Sequence, residues 1–453
     1  VSKKVISPGG SVSGVVELPG DKSISHRYAI LAALAEGPSE IANFASAADC
    51  RSTLECVRRL GIEVDANRER VRITGKGLDG LKASRKPLDA ENSGSTIRML
   101  AGVLAGQPFT STLTGDSSLR RRPMRRVAEP LRQMGAEIRG EDGDRAPLEI
   151  RGGKLRGIDY STPIPSAQVK SAVLFAGLFA DGATSVHEAV RTRDHSEIAL
   201  REFGADLDVS NGSIRVHPRP KLKARNLTVP GDLSAAVFMI GAALVLPGSE
   251  LMLHNVGLNP TRARVLDFLI SMGASIKVPT VQMRDGELVG DVSVRHGSLA
   301  GGSLSGAQVA ETIDELPMLA ALGPFTEKGI EIHGAQELRV KESDRIATMA
   351  EGLRRMGARV EEFPDGLRVE GRESGAKLHG AKIDPQGDHR IAMALAVAAL
   401  GAEGETTILD ADCAAVSYPE FYEALDRLRG KSAPPVTGPH EIIGSLPEGK
   451  NVC

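Results

Sequence analysis

Two hydrophobic patterns alternate along the chain, and each returns six times. The first is a stretch that is apolar on nearly every face and is entered from a polar turn; these stretches begin near Gly20, Asn92, Ser166, Gly231, Asp314 and Gly387. A helix without a polar face belongs inside a domain, and residues 93–105 and 391–400 show this most plainly. The second pattern is amphipathic, with apolar residues at i and i+3, and ends at Gly61, Gly135, Gly204, Gly273, Gly357 and, one residue late, Gly430. It predicts a helix stopped by a left-handed glycine. The alternating residues that follow, as at 136–138, 274–278 and 358–361, predict strands. Two markers that keep register over intervals of about 65 to 83 residues predict six internal repeats of about 70 residues, in two sets of three. Each repeat is a mixed α/β layer. Parallel buried helices would present their N-termini at one face of each set, and two such faces meeting would make an electropositive cleft for a small, highly charged anion.

Composition narrows the picture. The 453 residues are 41% hydrophobic but only 3% aromatic, with no Trp, so the cores must pack from Leu, Val, Ile, Ala and Met. The formal net charge is −2. No global field therefore favours nucleic acid or an anionic membrane, and no aromatic-interleaved basic stripe suits single strands. The longest apolar stretch, 235–247, falls short of the roughly 20 residues that cross a bilayer and predicts a buried helix. Residues 1–8 lack the apolar centre of a signal peptide, so the expected location is the cytoplasm. Cys50, Cys56, Cys413 and Cys453 show neither CxxC spacing nor a histidine partner pattern, which points to reduced thiols. The proline-rich segment 431–453 predicts a loosely packed extension.

The cleft chemistry must then come from local clusters. Lys22, Ser23 and Arg27 stand at the glycine turn that opens the first buried helix, where backbone N–H groups, the helix dipole and full positive charges converge on one anion. The glycine spacing there excludes a nucleotide P-loop. Charged loops recur at 117–123, 191–197, 259–262 and 338–345. Arginine forks match carboxylate and phosphate oxygens, while lysine supplies a movable point charge. Arg120 and Arg125 read as solvated, whereas Arg122, held before Pro123, reads as a site residue. Asp314 and Glu342 are acidic groups within this basic surround; positive neighbours lower their pKa values and burial raises them, a competition that tunes acids and bases. Helix capping and an ion pair are the plain alternatives for these two. His26, His195 and His389 read as structural hydrogen-bonders, since none has triad or metal-ligand spacing.

These residues carry a family resemblance. Pro19-Gly-Asp-Lys-Ser-Ile-Ser-His-Arg27, Asn92-Ser-Gly-Ser-Thr-Ile-Arg98, Arg122-Pro123, Ser166-Ala-Gln-Val-Lys170, Ile313-Asp-Glu315, Leu338-Arg-Val-Lys-Glu-Ser-Asp-Arg345 and Asp388-His-Arg390 occur in the order found in the 5-enolpyruvylshikimate-3-phosphate synthases, over about residues 20–421. The resemblance implies an α/β, two-domain enolpyruvyl transferase fold, an inside-out α/β barrel of six βαβαββ repeats with three per domain. One domain would comprise 1–19 plus 229–453 and the other 20–228. It implies enolpyruvyl transfer from phosphoenolpyruvate to shikimate 3-phosphate by a monomer, without metal or organic cofactor.

By the same resemblance, shikimate 3-phosphate is held by Lys22, Ser23, Arg27, Ser166, Ala167, Gln168, Arg193, Asp314 and Lys341. Phosphoenolpyruvate is held by Lys22, Gly94, Arg122, Gln168, Arg345 and Arg390. Asp314 is assigned as base, Glu342 as proton donor, and Lys22 can share either task. Closure of the cleft over the substrates is expected, from an open free form. The Ser-Ala-Gln, Arg193-Asp-His-Ser-Glu197 and Asn259-Pro-Thr-Arg262 patterns resemble the class II branch, and no lysine precedes Tyr418-Pro419 where other members have one. The class II branch includes glyphosate-tolerant enzymes, but Gly94 leaves room where an alanine methyl would crowd the inhibitor in a tolerant relative, so intermediate tolerance is expected. The rival readings are a UDP-N-acetylglucosamine enolpyruvyl transferase, whose loop cysteine has no counterpart in 115–124, and a non-catalytic anion-binding scaffold, which would need neither Asp314 nor Glu342.

Overall fold

The computed structural model describes residues 2–67, 70–210 and 212–430; the expected extension at 431–453, with Cys453, lies outside them. All six turn-led apolar segments are helices: Lys22–Leu34, Gly94–Ala105, Ala167–Gly177, Leu233–Val245, Leu316–Leu322 and His389–Leu400. Every residue of Leu233–Val245 and of His389–Leu400 is buried, as their lack of a polar face requires. The amphipathic segments form the helices Ala48–Arg59, Arg125–Met134, His195–Glu202, Arg264–Ser271, Arg345–Arg355 and Phe421–Leu428. The glycine after each has φ between 66° (Gly430) and 113° (Gly135), the left-handed region in which a Cβ is penalised.

Among the described residues the strands make six small sheets, and five of them share one plan: a parallel pair extended by an antiparallel hairpin. In one, Asn226–Thr228 lies parallel to Glu36–Ala42, which continues antiparallel into the hairpin of Arg70–Lys76 and Glu63–Ala66. The sixth sheet departs from βαβαββ. Lys382–Ile383 pairs parallel with Thr406–Leu409, but the hairpin's place is taken by the chain's first strand, Lys3–Ile6, which pairs antiparallel.

Two crossings sort the units. Ser13–Glu17 joins Glu250–Gly257, while Asn226–Thr228 joins Glu36–Ala42, so each strand pairs with units remote in sequence. Where the two connections pass, the Asp21 N–H donates to the Pro230 carbonyl at 2.8 Å and the Asp232 N–H to the Pro19 carbonyl at 2.9 Å. Gly20 fits this crossing because a Cβ there would stand 1.8 Å from the Asn43 carbonyl oxygen. One large hydrophobic core runs from Ile24 to Val229. The other combines Ile6, Val12, Val16 and Leu18 with residues from Leu233 to Leu428. Among the described residues no helix is long and apolar enough to cross a membrane; the longest apolar stretch is the buried helix Leu233–Val245.

Candidate active site

Five of the six buried helices begin with short polar side chains that satisfy an early N–H group, and the sixth, Leu316–Leu322, has no side-chain cap. Asp21 accepts from Ile24 N, Ser93 from Thr96 N, Ser166 from Val169 N, Asp232 from Ser234 N and Asp388 from Arg390 N. Capping leaves other N-terminal N–H groups and the positive dipole ends directed outward. Residues from all five termini line one cavity between the two cores: Lys22, Gly94, Ala167, Ser234 and Arg390.

Nine basic and five acidic side chains line this cavity, in a chain whose net charge is −2. Lys22, Ser23, Gly94, Arg122, Ser166, Ala167, Gln168, Arg193, Asp314, Lys341, Glu342, Arg345 and Arg390 are all on its wall. Arg27 stands behind it. Its Nε and Nη2 donate to Ser196 and Ser171 Oγ at 2.6 and 2.8 Å, and its Nη1 donates to the Ser23 carbonyl at 2.8 Å. Burial brings this guanidinium down to about 10.

The cavity measures about 180 Å³, below the roughly 300–1,000 Å³ of ordinary ligand pockets. Its arginines fill it by pairing with protein carboxylates. Arg193 Nη2 donates to Asp314, and Arg345 Nη1 and Arg390 Nη2 lie 3.7 and 3.8 Å from the same carboxylate. Arg345 Nη2 donates to Glu342 Oε2 at 2.6 Å and Arg122 Nη1 to its Oε1 at 3.4 Å. Burial pushes Asp314 up, but Arg390, Arg193, Lys341 and Arg345 hold it well below the usual carboxylate range. Glu342 is likewise raised by burial and brought well below its ordinary value by Arg345, Arg122, His389 and Lys22. Burial alone would lower Lys22, yet Asp49, 2.9 Å from its Nζ, leaves it raised. Burial dominates at Lys341, which is lowered. Arg122 Nε, Arg345 Nη1 and Arg262 Nε are buried with no hydrogen-bond partner, which leaves donors suited to a polyanion.

Several wall residues had no binding or catalytic role in the sequence reading, although Thr261 and Arg262 lie in its charged loop 259–262. Arg98 donates to Gln168 Oε1 at 2.6 Å, and Gln168 Nε2 donates to Ser95 Oγ at 2.9 Å, so Arg98 sets the orientation of Gln168. Asp49, Arg126, Thr261, Arg262 and Glu337 also line the cavity. Arg98, Arg262 and Glu337 lie in or beside the motifs quoted above; Asp49, on the helix Ala48–Arg59, has no such signal. One histidine expectation is corrected. His26 and His195 do hydrogen-bond, to Thr53 and Glu287, but neither ring nitrogen of His389 has a partner, and His389 lines the cavity. Its place directly after the Asp388 cap turns it into the cleft. Among the described residues no group of three or more His, Cys, Asp or Glu side chains is arranged to hold a metal ion.

Six α/β units whose buried helices open on an arginine-lined cleft define an enolpyruvyl transferase fold. The chain superposes with TM-score 0.73 on the enolpyruvyl transferase NikO from Streptomyces tendae, covering 94% of this chain and 96% of that one at 21% identity, a likeness of fold. Residues 6–425 match the family model for EPSP synthase (3-phosphoshikimate 1-carboxyvinyltransferase), and the chain belongs to that family. It is 56% identical over 425 residues to the 3-phosphoshikimate 1-carboxyvinyltransferase of Solibacter usitatus, covering 94% of this chain and 99% of that one. It is 55% identical over 424 residues to the enzyme of the same name from Koribacter versatilis, covering 93% and 98%. An EPSP synthase structure from Acinetobacter baumannii gives TM-score 0.84 at 39% identity, covering 94% and 98%.

Proposed function

We propose that the protein transfers the enolpyruvyl group of phosphoenolpyruvate to the 5-hydroxyl of shikimate 3-phosphate, giving 5-enolpyruvylshikimate 3-phosphate and inorganic phosphate. The observation that carries this reading is the placement of Asp314 and Glu342 in one cavity with Lys22, Arg122, Arg345 and Arg390. The hydroxyl oxygen bonds to the substituted carbon of phosphoenolpyruvate as its proton leaves, and the methylene carbon gains a proton. The tetrahedral adduct then loses phosphate and a methyl proton, which restores the double bond.

Asp314, held ionised by its cations, suits the role of base toward the hydroxyl. Glu342 is held ionised by Arg345 and Arg122. Phosphoenolpyruvate would draw those two guanidiniums onto its own oxygens and add negative charge, which raises Glu342 toward a value at which it can carry a proton to the methylene. Lys22, raised by Asp49 against its burial, is the second proton source. In this reading Lys22, Arg122, Gln168, Arg345 and Arg390 hold phosphoenolpyruvate, with Gly94 leaving space beside them. Lys22, Ser23, Ser166, Ala167, Gln168, Arg193, Asp314 and Lys341 hold shikimate 3-phosphate in the same reading, with Arg27 supporting Ser23 from behind. The two hydrophobic cores support a division into two domains, 1–19 plus 229–453 and 20–228, although Val229 packs in the core of the second, and the protein is read as a monomer of the cytoplasm.

Among the described residues no cysteine lines the cavity. Cys50 is pushed well above its ordinary range and Cys56 up to about 12, both by burial. The deciding experiment is phosphate release from phosphoenolpyruvate with shikimate 3-phosphate or UDP-N-acetylglucosamine as acceptor. Release with the first alone, reduced about 10²–10⁴-fold in Asp314→Ala, is the expected result. Release with the second, or with neither, would sink the reading.

A further inference from the structure

Among the described residues three arginine–carboxylate pairs cross from one core to the other. Arg193–Asp314 and Arg122–Glu342 are made of side chains proposed above to hold substrates or move protons, so incoming anions compete for their arginines. The third, Arg126–Glu337, contains none of those residues. It is also the best formed. Arg126 Nη1 donates to Glu337 Oε2 at 3.0 Å and Nη2 to Oε1 at 2.7 Å, a two-bonded fork.

Its location gives it a task. Arg126 begins the helix Arg125–Met134 just after the Arg122-Pro123 turn, and Glu337 lies in the 3-10 turn Gln336–Val340, immediately before Lys341 and Glu342. Arg339 binds that turn to its own half, through Asp344 at 2.8 Å and the Pro364 and Phe363 carbonyls, both at 2.7 Å. Within Gln336–Val340 it is Glu337 whose side chain pairs with the opposite half, and just beyond it Glu342 pairs with Arg122. The side chains are 33% and 30% exposed, so the pair sits at the cleft rim and its loss leaves no fully buried charge.

We propose that Arg126 and Glu337 are a positioning pair. They form a clamp that persists when substrate anions draw Arg122 and Arg193 from their carboxylates, and it seats the 336–342 turn, with Lys341 and Glu342, against the opposite half. The proposal rests on the enolpyruvyl-transfer reading of Lys341 and Glu342. Arg98 and Lys341 also act on the Glu337 carboxylate, so a charge swap would introduce repulsion and neutral replacements give the cleaner test.

The test is a double-mutant cycle of Arg126→Met, Glu337→Gln and the double variant, read by kcat/KM for both substrates, by melting temperature, and by small-angle scattering with and without shikimate 3-phosphate. Each single change is expected to lower kcat/KM about three- to tenfold and enlarge the radius of gyration in the presence of shikimate 3-phosphate, with little change in melting. The double variant should be no worse than the poorer single one, and the losses should shrink in about 0.5 M salt. Additive losses, or single variants that match wild type in rate and size, would overturn the clamp. If wild type releases no phosphate, the functional reading fails, while the scattering comparison without ligand still decides whether this pair holds the cleft closed.

Discussion

Asp314 shows how a carboxylate can be nearly enclosed and still ionised: burial opposes the charge, and Arg390, Arg193, Lys341 and Arg345 outweigh it. A depressed pKa means that the native state binds fewer protons than the unfolded chain at mildly acidic pH. The stability it contributes is full above the unfolded values, about 3.9 for Asp and 4.3 for Glu, and is lost as pH falls through the lower folded value. Wild type should therefore lose stability more steeply below about pH 4 than Asp314→Asn or Glu342→Gln. Urea unfolding over that range checks this, and equal slopes would refute it. Gly94 gives a steric counterpart. A Cβ there would lie 2.7 Å from Arg98 Nη1 and 3.3 Å from Arg122 Nη1, so Gly94→Ala must displace two guanidinium ends rather than backbone. KM for phosphoenolpyruvate should rise about two- to tenfold, with a larger loss of glyphosate inhibition and an unchanged KM for shikimate 3-phosphate. An equal rise in both KM values would place the methyl's effect elsewhere. Much of the cationic wall was legible because its basic residues cluster in the charged loops 117–123, 191–197, 259–262 and 338–345 and behind the glycine turn at Gly20. Asp49 was not, since a lone acid on an amphipathic helix looks solvated until the fold lays it against Lys22.

Among the elements, the glycine-stopped helices were the most legible feature, because a positive φ is a local demand that leaves its mark at one residue. The strand pairings were much less so. Nothing local to Asn226–Thr228 or Lys3–Ile6 says which sheet each completes, and both choices follow from the crossing at Gly20 and Gly231. The six stops are alike in backbone but differ in surroundings. At Gly61 a Cβ would stand 3.3 Å from the flexible Lys82 side chain. At Gly357 it would stand 2.8 Å from His379 Cδ2 and 2.9 Å from the Lys377 carbonyl oxygen. Both substitutions to Ala carry the left-handed penalty of about 1–2 kcal/mol. Gly357→Ala should add an overpacking cost of about 1–3 kcal/mol. Denaturant midpoints at constant m would test the ranking, and a Gly61 variant as unstable as the Gly357 variant would contradict the steric account.

Over the whole molecule the charge is arranged rather than abundant. A chain with net charge −2 gathers nine cations against five carboxylates around one cavity. Composition could rule out a global field but could not show this concentration, because the partners come from distant sequence: Arg126 meets Glu337 across 211 positions and Arg122 meets Glu342 across 220. The repeat pattern made the two groups of units legible; their meeting face is a property of the assembled fold. A local excess of positive charge at a cleft with low-dielectric walls should attract phosphoenolpyruvate and shikimate 3-phosphate before contact. The field reaches about one Debye length, roughly 10 Å at 0.1 M and 3 Å at 1 M salt. Raising ionic strength from about 0.05 to 0.5 M should therefore lower kcat/KM for both anionic substrates by about tenfold. The effect on kcat should be much smaller, because bound substrates are already inside the screened region. If kcat/KM were flat with salt while kcat fell, the cations would be acting only on the bound state, and attraction of the free anions would play no part in capture.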